Sequence, residues 1–313
     1  ARLGVKYVRN KGRVLVGFRE RNTPFIADMH RCEVLIPEVG YKLDLLSEMI
    51  GQLEARASIP QIEGAADVDH IQLVFRHLQP LSKHDRDVLI EFGRRHNFHI
   101  QLQSGGPETV CNLVPEEQEL SLDPAGNGPI RIAFNALDFV QVNTEINQKM
   151  VAQALRLLDL QPSDKVLDLF CGLGNFSLPI AQRCAQVSGV EVDSAMLTRA
   201  RESATANDIV NTDYHSADLF RPDEDFLWMR KHYDKILLDP PRSGALEMAR
   251  LIGRFNAVRI VYVSCQPSSL VRDAAIICAQ GYRMTHLGIM DMFPQTAHVE
   301  SMALFERKSQ ESK

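Results

Sequence analysis

The stretch Lys165-Val-Leu-Asp-Leu-Phe-Cys-Gly-Leu-Gly-Asn-Phe176 passes from an apolar run into a glycine loop and on into a helical pattern. An apolar run of that length bounded by glycine reads as a buried strand, and the order strand, glycine loop, helix opens a βαβ unit. Working outward, further strands are predicted at Gln186–Val192, Thr212–His215, Lys235–Asp239 and Arg259–Cys265, with helical patterns filling most of the gaps. Upstream, Thr144–Leu160 has amphipathic helical spacing and stops near Pro162. Alternation of this kind predicts an α/β fold with a mostly parallel, doubly wound sheet. Two last strands, about Arg283–Met290 and Val299–Glu306, are joined by a short connection, which suits an antiparallel hairpin at one edge.

The first part of the chain has a different texture. Val5–Arg9 and Arg13–Phe18 flank Asn10-Lys-Gly12 and read as a hairpin; the chain starts without methionine and in mid-pattern, so an N-terminal portion is expected to be missing. Helices are predicted over Tyr41–Ala55 and His84–Arg95, and strands over Ile71–Phe75 and Phe98–Leu102. Ser104–Pro107 and Asp123–Pro129 are turn-rich breaks. At 313 residues two domains are expected, a smaller mixed α/β domain over 1–130 and the doubly wound domain over 131–313.

Hydrophobic content of 45% and charged content of 24% are those of an ordinary globular chain, and no apolar run is long enough to span a bilayer. Six cysteines with no paired spacing fit a reducing cytoplasm better than a disulfide framework. A net charge of −5 argues against a general nucleic-acid coat protein but leaves room for a local basic face. Arg2, Lys6, Arg9, Lys11, Arg13, Arg19 and Arg21 stand against the single acid Glu20 in the first 21 residues, either as phosphate contacts or as gatekeeping charges on a hairpin edge.

The chemistry-bearing residues fall at the carboxyl ends of the predicted strands, where open α/β sheets bind their ligands. Glycines 172 and 174 let backbone amides approach a ligand. Glu191, 19 residues after Gly172, ends the next strand, where an acid can accept from both hydroxyls of a ribose. Position 177 is Ser, so the third glycine of a dinucleotide loop is absent. Asp218 follows the third strand and can meet an adenine edge, and Asp239-Pro-Pro-Arg242 ends the fourth. Arg242 reads either as a phosphate ligand or as a carboxylate partner.

Cys265 ends Arg259–Cys265 and is followed by Gln266-Pro267, with Pro267 suited to the first turn of a helix whose amides would favour a thiolate. Glu300 enters the last strand after Thr296-Ala-His298-Val. A thiol and a late carboxylate have no use in hydride transfer. They suit methylation of a pyrimidine carbon, in which a thiolate adds to C6, C5 takes the methyl, and a base removes the C5 proton. Alone, Cys265 could be a small buried hydrophobe and Glu300 a solvated strand edge. His298 reads as a structural neighbour, since no second ligand lies at zinc-like spacing.

Together, Asp168–Phe176, Asp239-Pro-Pro-Arg-Ser-Gly-Ala245, Val263-Ser-Cys-Gln-Pro267, Phe293–Glu300 and Asp138-Phe-Val-Gln-Val-Asn143 resemble the RNA uracil-5-methyltransferases. The likeness extends to Leu3–Tyr7, Val16–Arg19 and Ala27–Cys32, and leans toward the bacterial iron–sulfur enzymes of 23S ribosomal RNA. It implies a Rossmann-like class I S-adenosylmethionine-dependent methyltransferase domain preceded by the smaller mixed α/β domain. It implies S-adenosylmethionine contacts from Gln141, Phe170, Asn175, Glu191, Asp218 and Asp239, with Cys265 as nucleophile and Glu300 as base. Asp218 departs from an Asn at that place. Cys32 would be one ligand of a [4Fe–4S] cluster whose other ligands this sequence does not contain. The substrate implied is RNA, 23S ribosomal ahead of transfer RNA, modified in the cytoplasm by a monomer. A cytosine C5 enzyme is the nearest rival, and it would carry a cysteine after the prolines where Arg242-Ser243 stands.

Overall fold

The computed structural model describes residues 1–308 except 117 and 127. The chain forms two compact units, one of residues 1–120 and 134–138, the other of 121–133 and 139 onward.

The first unit is built on a six-stranded sheet in the order β2-β1-β3-β4-β5-β6. Its strands are β1 (Arg2–Val8), β2 (Arg13–Gly17), β3 (Gln61–Ala66), β4 (Ile71–Arg76), β5 (His99–Gln103) and β6 (Val110–Asn112). Its helices are α1 (Pro37–Gly40), α2 (Leu43–Gln52) and α3 (Lys83–His96). The β1–β2 hairpin closes with Gly12 at φ +65°, a conformation that glycine adopts without strain. Period-two alternation points Leu3, Ile62, Leu73, Phe75, Ile100 and Leu102 to one face, where they join Leu43, Leu46 and Ile50 of α2 and Leu89 and Phe92 of α3. β3 carries only one large apolar residue, Ile62, so its composition gave no strand signal; pairing with both β1 and β4 makes it a strand. α2 is shorter than its apolar spacing predicts, because Leu53 turns to extended backbone while its side chain stays in the core.

A two-stranded ribbon follows in sequence, β7 (Leu120–Leu122) with β8 (Ile132–Phe134). The second unit then runs α4 (Thr144–Leu158), β9 (Lys165–Leu169), α5 (Ser177–Ala181), β10 (Gln186–Glu191), α6 (Ser194–Ala206) and β11 (Thr212–Ser216). It continues through β12 (Lys235–Leu238), α7 (Leu246–Leu251), β13 (Arg259–Ser264), α8 (Pro267–Ala279), β14 (Tyr282–Met290) and β15 (Glu300–Arg307). The seven-stranded sheet has the order β11-β10-β9-β12-β13-β15-β14. The ladders from β11 to β13 are parallel, and β15 pairs antiparallel with both β13 and β14. Val166, Leu167, Ile236, Leu237, Ile260 and Val261 are all fully buried, as strands covered on both faces must be. The chain winds outward from β9 to β11 and then returns to β12 on the other side of β9. That makes the β9/β12 boundary the switch point where such sheets open a crevice.

β10, β12 and β13 each stop one residue short of their sequence-predicted ends. Phe170, Val192, Asp239 and Cys265 lie just past the ladders of β9, β10, β12 and β13, where the chain turns off the strands.

One buried acid ties α2 to α3. Asp85 Oδ2 accepts from the Ser82 amide at 3.3 Å while Ser82 Oγ accepts from the Asp85 amide at 3.2 Å, a capping box. The same carboxylate accepts from the amides of Glu54 at 2.7 Å and Ala55 at 3.3 Å, and Asp85 is 1% exposed. Asp85→Ala removes a cap and leaves two further amides without their acceptor. It should lower stability by about 2–3 kcal/mol in urea unfolding, and a loss under about 0.5 kcal/mol would refute this account of the α2–α3 join.

Candidate active site

The glycine loop after β9 is held by its neighbour strand. The amides of Phe170 and Cys171 both donate to Val190 O, at 2.9 and 3.1 Å, with Phe170 in the left-handed region at φ +64°. Gly172 and Gly174 also have positive φ, +53° and +90°. Glu191 is oriented by backbone: Oε1 accepts from Val192 N at 2.7 Å and Asp193 N at 3.1 Å, and Oε2 accepts from Gly172 N at 3.4 Å. A carboxylate fixed this way keeps lone pairs for a diol. Asn175 exchanges two 2.9 Å amide hydrogen bonds with Asn147 of α4. Asp218 is exposed and accepts from the Phe220 amide at 2.9 Å, a turn that brings the Phe220 ring to 5.7 Å from Phe170. Gln141 lies half-buried in the segment leading to α4, and nearby Phe139 is 69% exposed.

Beneath the loop Asp168 is fully buried. Ser177 Oγ donates to its Oδ2 at 2.5 Å, while Oδ1 has no partner among the described residues. Ser177 thus stands where a third glycine was missed, and its hydroxyl holds the acid; nothing in the sequence marked that role. Burial pushes Asp168 up to about 7, helped by Glu191 and opposed by Ser177. Asp239 is pushed up to about 8, by burial first and then by Glu300 and Asp168.

Cys265 and Glu300 meet at the top of β13 and β15. Ser264 pairs with Ser301 in the ladder, and Ser301 Oγ donates to Ser264 O at 3.1 Å, so Cys265 and Glu300 are the next residues beyond that pair. Glu300 is 4% exposed, which removes the reading of a solvated strand edge. Burial raises its carboxyl, and Arg242 opposes the rise. The Cys265 thiol is likewise raised, by burial first and then by Glu300 and Asp239, with Arg242 again opposing. The sequence led to the expectation that helix amides would favour the thiolate. α8 does start at Pro267, but two carboxylates beside the sulfur act the other way.

Arg242 is therefore the cation of this cluster, and sequence reasoning left its partner open. Its Nη2 donates toward the His298 ring, 3.2 Å from Nε2 and 3.5 Å from Nδ1, and that ring packs edge-on against Phe293 at 5.8 Å. Cys32 lies apart from these groups in sequence and in setting. It is 5% exposed in the apolar cluster of the first unit.

These groups form an acid-rich crevice with one thiol and one cation, fitted to a cationic ligand with a diol and to addition of sulfur to an electrophilic ring. A family model described as tRNA (uracil-5-)-methyltransferase matches residues 95–308. The 23S rRNA (uracil(1939)-C(5))-methyltransferase of Alcanivorax borkumensis is 50% identical over 310 residues, covering 98% of this chain and 69% of the relative. A relative of the same name from Xanthomonas campestris is 47% identical over 308 residues, with the same coverage of 98% and 69%. Among solved structures, the Pyrococcus abyssi tRNA (uracil-54, C5)-methyltransferase in complex with S-adenosyl-L-homocysteine aligns with a TM-score of 0.72 at 19% identity. That alignment covers 97% of this chain and 75% of the other. At that identity the likeness shows the fold alone.

The buried acids predict a pH dependence. Asp168 and Asp239 keep a proton when folded up to about 7 and about 8, whereas unfolded they lose it near 3.8. The folded chain then binds more protons across that window, so their contribution to stability falls as pH rises from the unfolded toward the folded value. From about pH 4 toward pH 7 for Asp168 and pH 8 for Asp239, the unliganded chain should lose up to roughly 1.4 kcal/mol per pH unit for each acid, and Asp239→Asn should flatten the decline. Parallel urea titrations of both proteins with equal slopes would contradict the buried-acid picture.

Proposed function

The chain belongs to the (uracil-5-)-methyltransferase family, and we propose that it methylates C5 of a uridine in RNA through a covalent adduct with Cys265. The observation that carries this reading is the meeting of Cys265, Glu300, Asp239 and Arg242 at the carboxyl ends of β12 and β13.

S-adenosylmethionine supplies an electrophilic methyl group when bound. The residues present fit it. The glycine loop offers a close backbone approach, Glu191 offers acceptors to a ribose diol, and Asp168 Oδ1 is an orphaned acceptor in an anionic pocket. Phe170 and Phe220 offer ring faces to an adenine, and Asp218 offers an acceptor at its edge. Gln141, Asn175 and Asp239 complete the proposed contacts.

Cys265 acts as thiolate. Its sulfur adds to C6 of the uracil, and the C5–C6 electron pair moves toward O4, making C5 nucleophilic. Arg242 is placed to offset that developing negative charge, since it already draws down both Cys265 and Glu300. C5 takes the methyl group as the methyl–sulfur bond breaks, the electron pair staying on sulfur as a neutral thioether that leaves. Glu300 then removes the C5 proton, and the returning electron pair expels the Cys265 sulfur as thiolate. Burial of Glu300 raises its basicity for that step.

The names of the relatives favour 23S ribosomal RNA as substrate, with transfer RNA as the second reading because the family model carries that description. We assign the protein to the cytoplasm, where that RNA is, acting as a monomer. A [4Fe–4S] cluster would take Cys32 as one ligand. Among the described residues no group of three His, Cys, Asp or Glu gathers to hold a metal, so these residues do not fit the cluster by themselves, and no step runs through it.

An RNA carrying 5-fluorouridine, with labelled S-adenosylmethionine, tests the mechanism, because fluorine cannot leave as a proton. The chain should form a methyl-labelled protein–RNA adduct that Cys265→Ala abolishes, and Cys265→Ala should lower turnover on ordinary RNA by roughly 10⁴-fold or more. Glu300→Gln should slow turnover by roughly 10²–10⁴-fold and accumulate the methylated adduct on ordinary RNA. Methylation that persists in Cys265→Ala would sink the covalent route. Affinity for the cationic S-adenosylmethionine should rise from about pH 6 to 8 as Asp168 and Asp239 ionise, with a smaller rise in Asp239→Asn by calorimetry.

A further inference from the structure

The second face of the first unit's sheet is mostly polar. Where Leu73, Phe75, Ile100 and Leu102 point to the core, the alternate positions are Gln72, the buried Val74, Arg76, His99, Gln101 and Gln103. Across the ladder Gln61 pairs with Arg76, Arg76 with Gln103, and Arg2 with Glu63, which sets these side chains in one row over the ends of β3, β4 and β5. Beside the row is a cavity of about 340 Å³, lined also by Gly105, Gly106, Pro107 and Leu137.

Two of its lining groups have no side-chain partner in the protein. Gln103 is 5% exposed, and its side-chain amide makes no hydrogen bond to a described residue and opens to the cavity. Arg76 lies beside it with no carboxylate partner among the described residues, whereas Arg2 is already paired to Glu63 at 3.2 Å. Gln61 donates to Glu63 at 2.7 Å, so the acid of the row is engaged and the cation is not.

We infer that this cavity binds one unstacked nucleotide of the substrate RNA, its base edge on the Gln103 amide and its phosphate on Arg76. An amide offers a donor and an acceptor side by side, the pattern that a nucleobase edge complements. A guanidinium in the same row suits the phosphate that accompanies that base. Unstacked loop nucleotides are what proteins read in RNA by such contacts. The cavity volume lies in the range of small-ligand sites. This inference rests on the RNA reading above and adds a second recognition point distinct from the reacting uridine.

The test uses the full chain and a fragment of 23S ribosomal RNA, comparing wild type, Arg76→Ala, Gln103→Leu and the size-matched Gln103→Glu. Arg76→Ala should weaken RNA binding about tenfold and reduce the log–log salt slope by about one. Gln103→Leu should weaken it about tenfold with the salt slope unchanged, and Gln103→Glu should also weaken it by setting a charge beside the phosphate. Turnover at saturating RNA and S-adenosylmethionine affinity should stay at wild-type values, which also shows that the variants fold. In an abasic scan, one RNA position should cost the wild type about tenfold and cost Gln103→Leu nothing further. If the wild type methylates the RNA and all the variants match its affinity and slope, this inference alone falls. If the wild type neither methylates any RNA nor forms the 5-fluorouridine adduct, the activity reading falls and takes this one with it.

Discussion

Two carboxyl groups at the break in strand order, Asp168 fully buried and Asp239 half-buried, set the terms for the rest of this molecule. Asp168 is next to last in β9 and Asp239 follows β12, and the parallel ladder between those strands sets the two strand ends side by side. Burial raises both acids; Glu191 adds to the rise of Asp168, and Glu300 and Asp168 add to that of Asp239. Such an arrangement is costly in the empty protein and becomes favourable when a cation is bound among the acids. The requirement for a positively charged ligand is thus built into the same packing that makes the sheet.

The reacting side of the crevice obeys the same electrostatics. Cys265 and Glu300 are both held toward their protonated forms by burial, and carboxylates beside the sulfur add to the effect. The opposing influence on both is Arg242, on the loop after β12, engaged with His298 on the loop before β15. Nucleophile, base and charge-offsetting cation come from three separate segments, and the antiparallel insertion of β15 beside β13 brings them together. A thiol that is resistant to ionisation in the empty site stays unreactive until substrate changes its surroundings, a sensible property for an exposed crevice.

The first unit divides its sheet differently. One face is a conventional apolar core against α2 and α3, anchored through Asp85. The other carries Gln, His and Arg in cross-strand rows around the buried Val74, with Gln72, His99 and Gln101 hydrogen-bonded. Several of the basic residues near the start are spent on local pairs: Lys11 and Arg13 both bind Asp28 at 2.7 and 2.6 Å, the hairpin-edge reading of those charges.

The sequence by itself determined the doubly wound sheet, because uninterrupted apolar strands alternating with amphipathic helices admit few other packings. It also marked Cys265, Glu300, Glu191 and Asp239, because each sits at a strand end that apolar periodicity locates to within a residue. β3 escaped notice because Gly64, Ala65 and Ala66 carry no strand signal of their own and are ordered by two neighbours. Only the tertiary structure decided that Ser177 holds Asp168, that Arg242 faces His298, that the thiol is raised instead of lowered, and that Gln103 lines a cavity beside Arg76. The physical reason is one of range. Periodicity and turn chemistry are local and survive in a linear string, whereas burial, charge proximity and hydrogen-bond satisfaction depend on residues tens of positions apart, whose meeting is fixed only when the sheet closes.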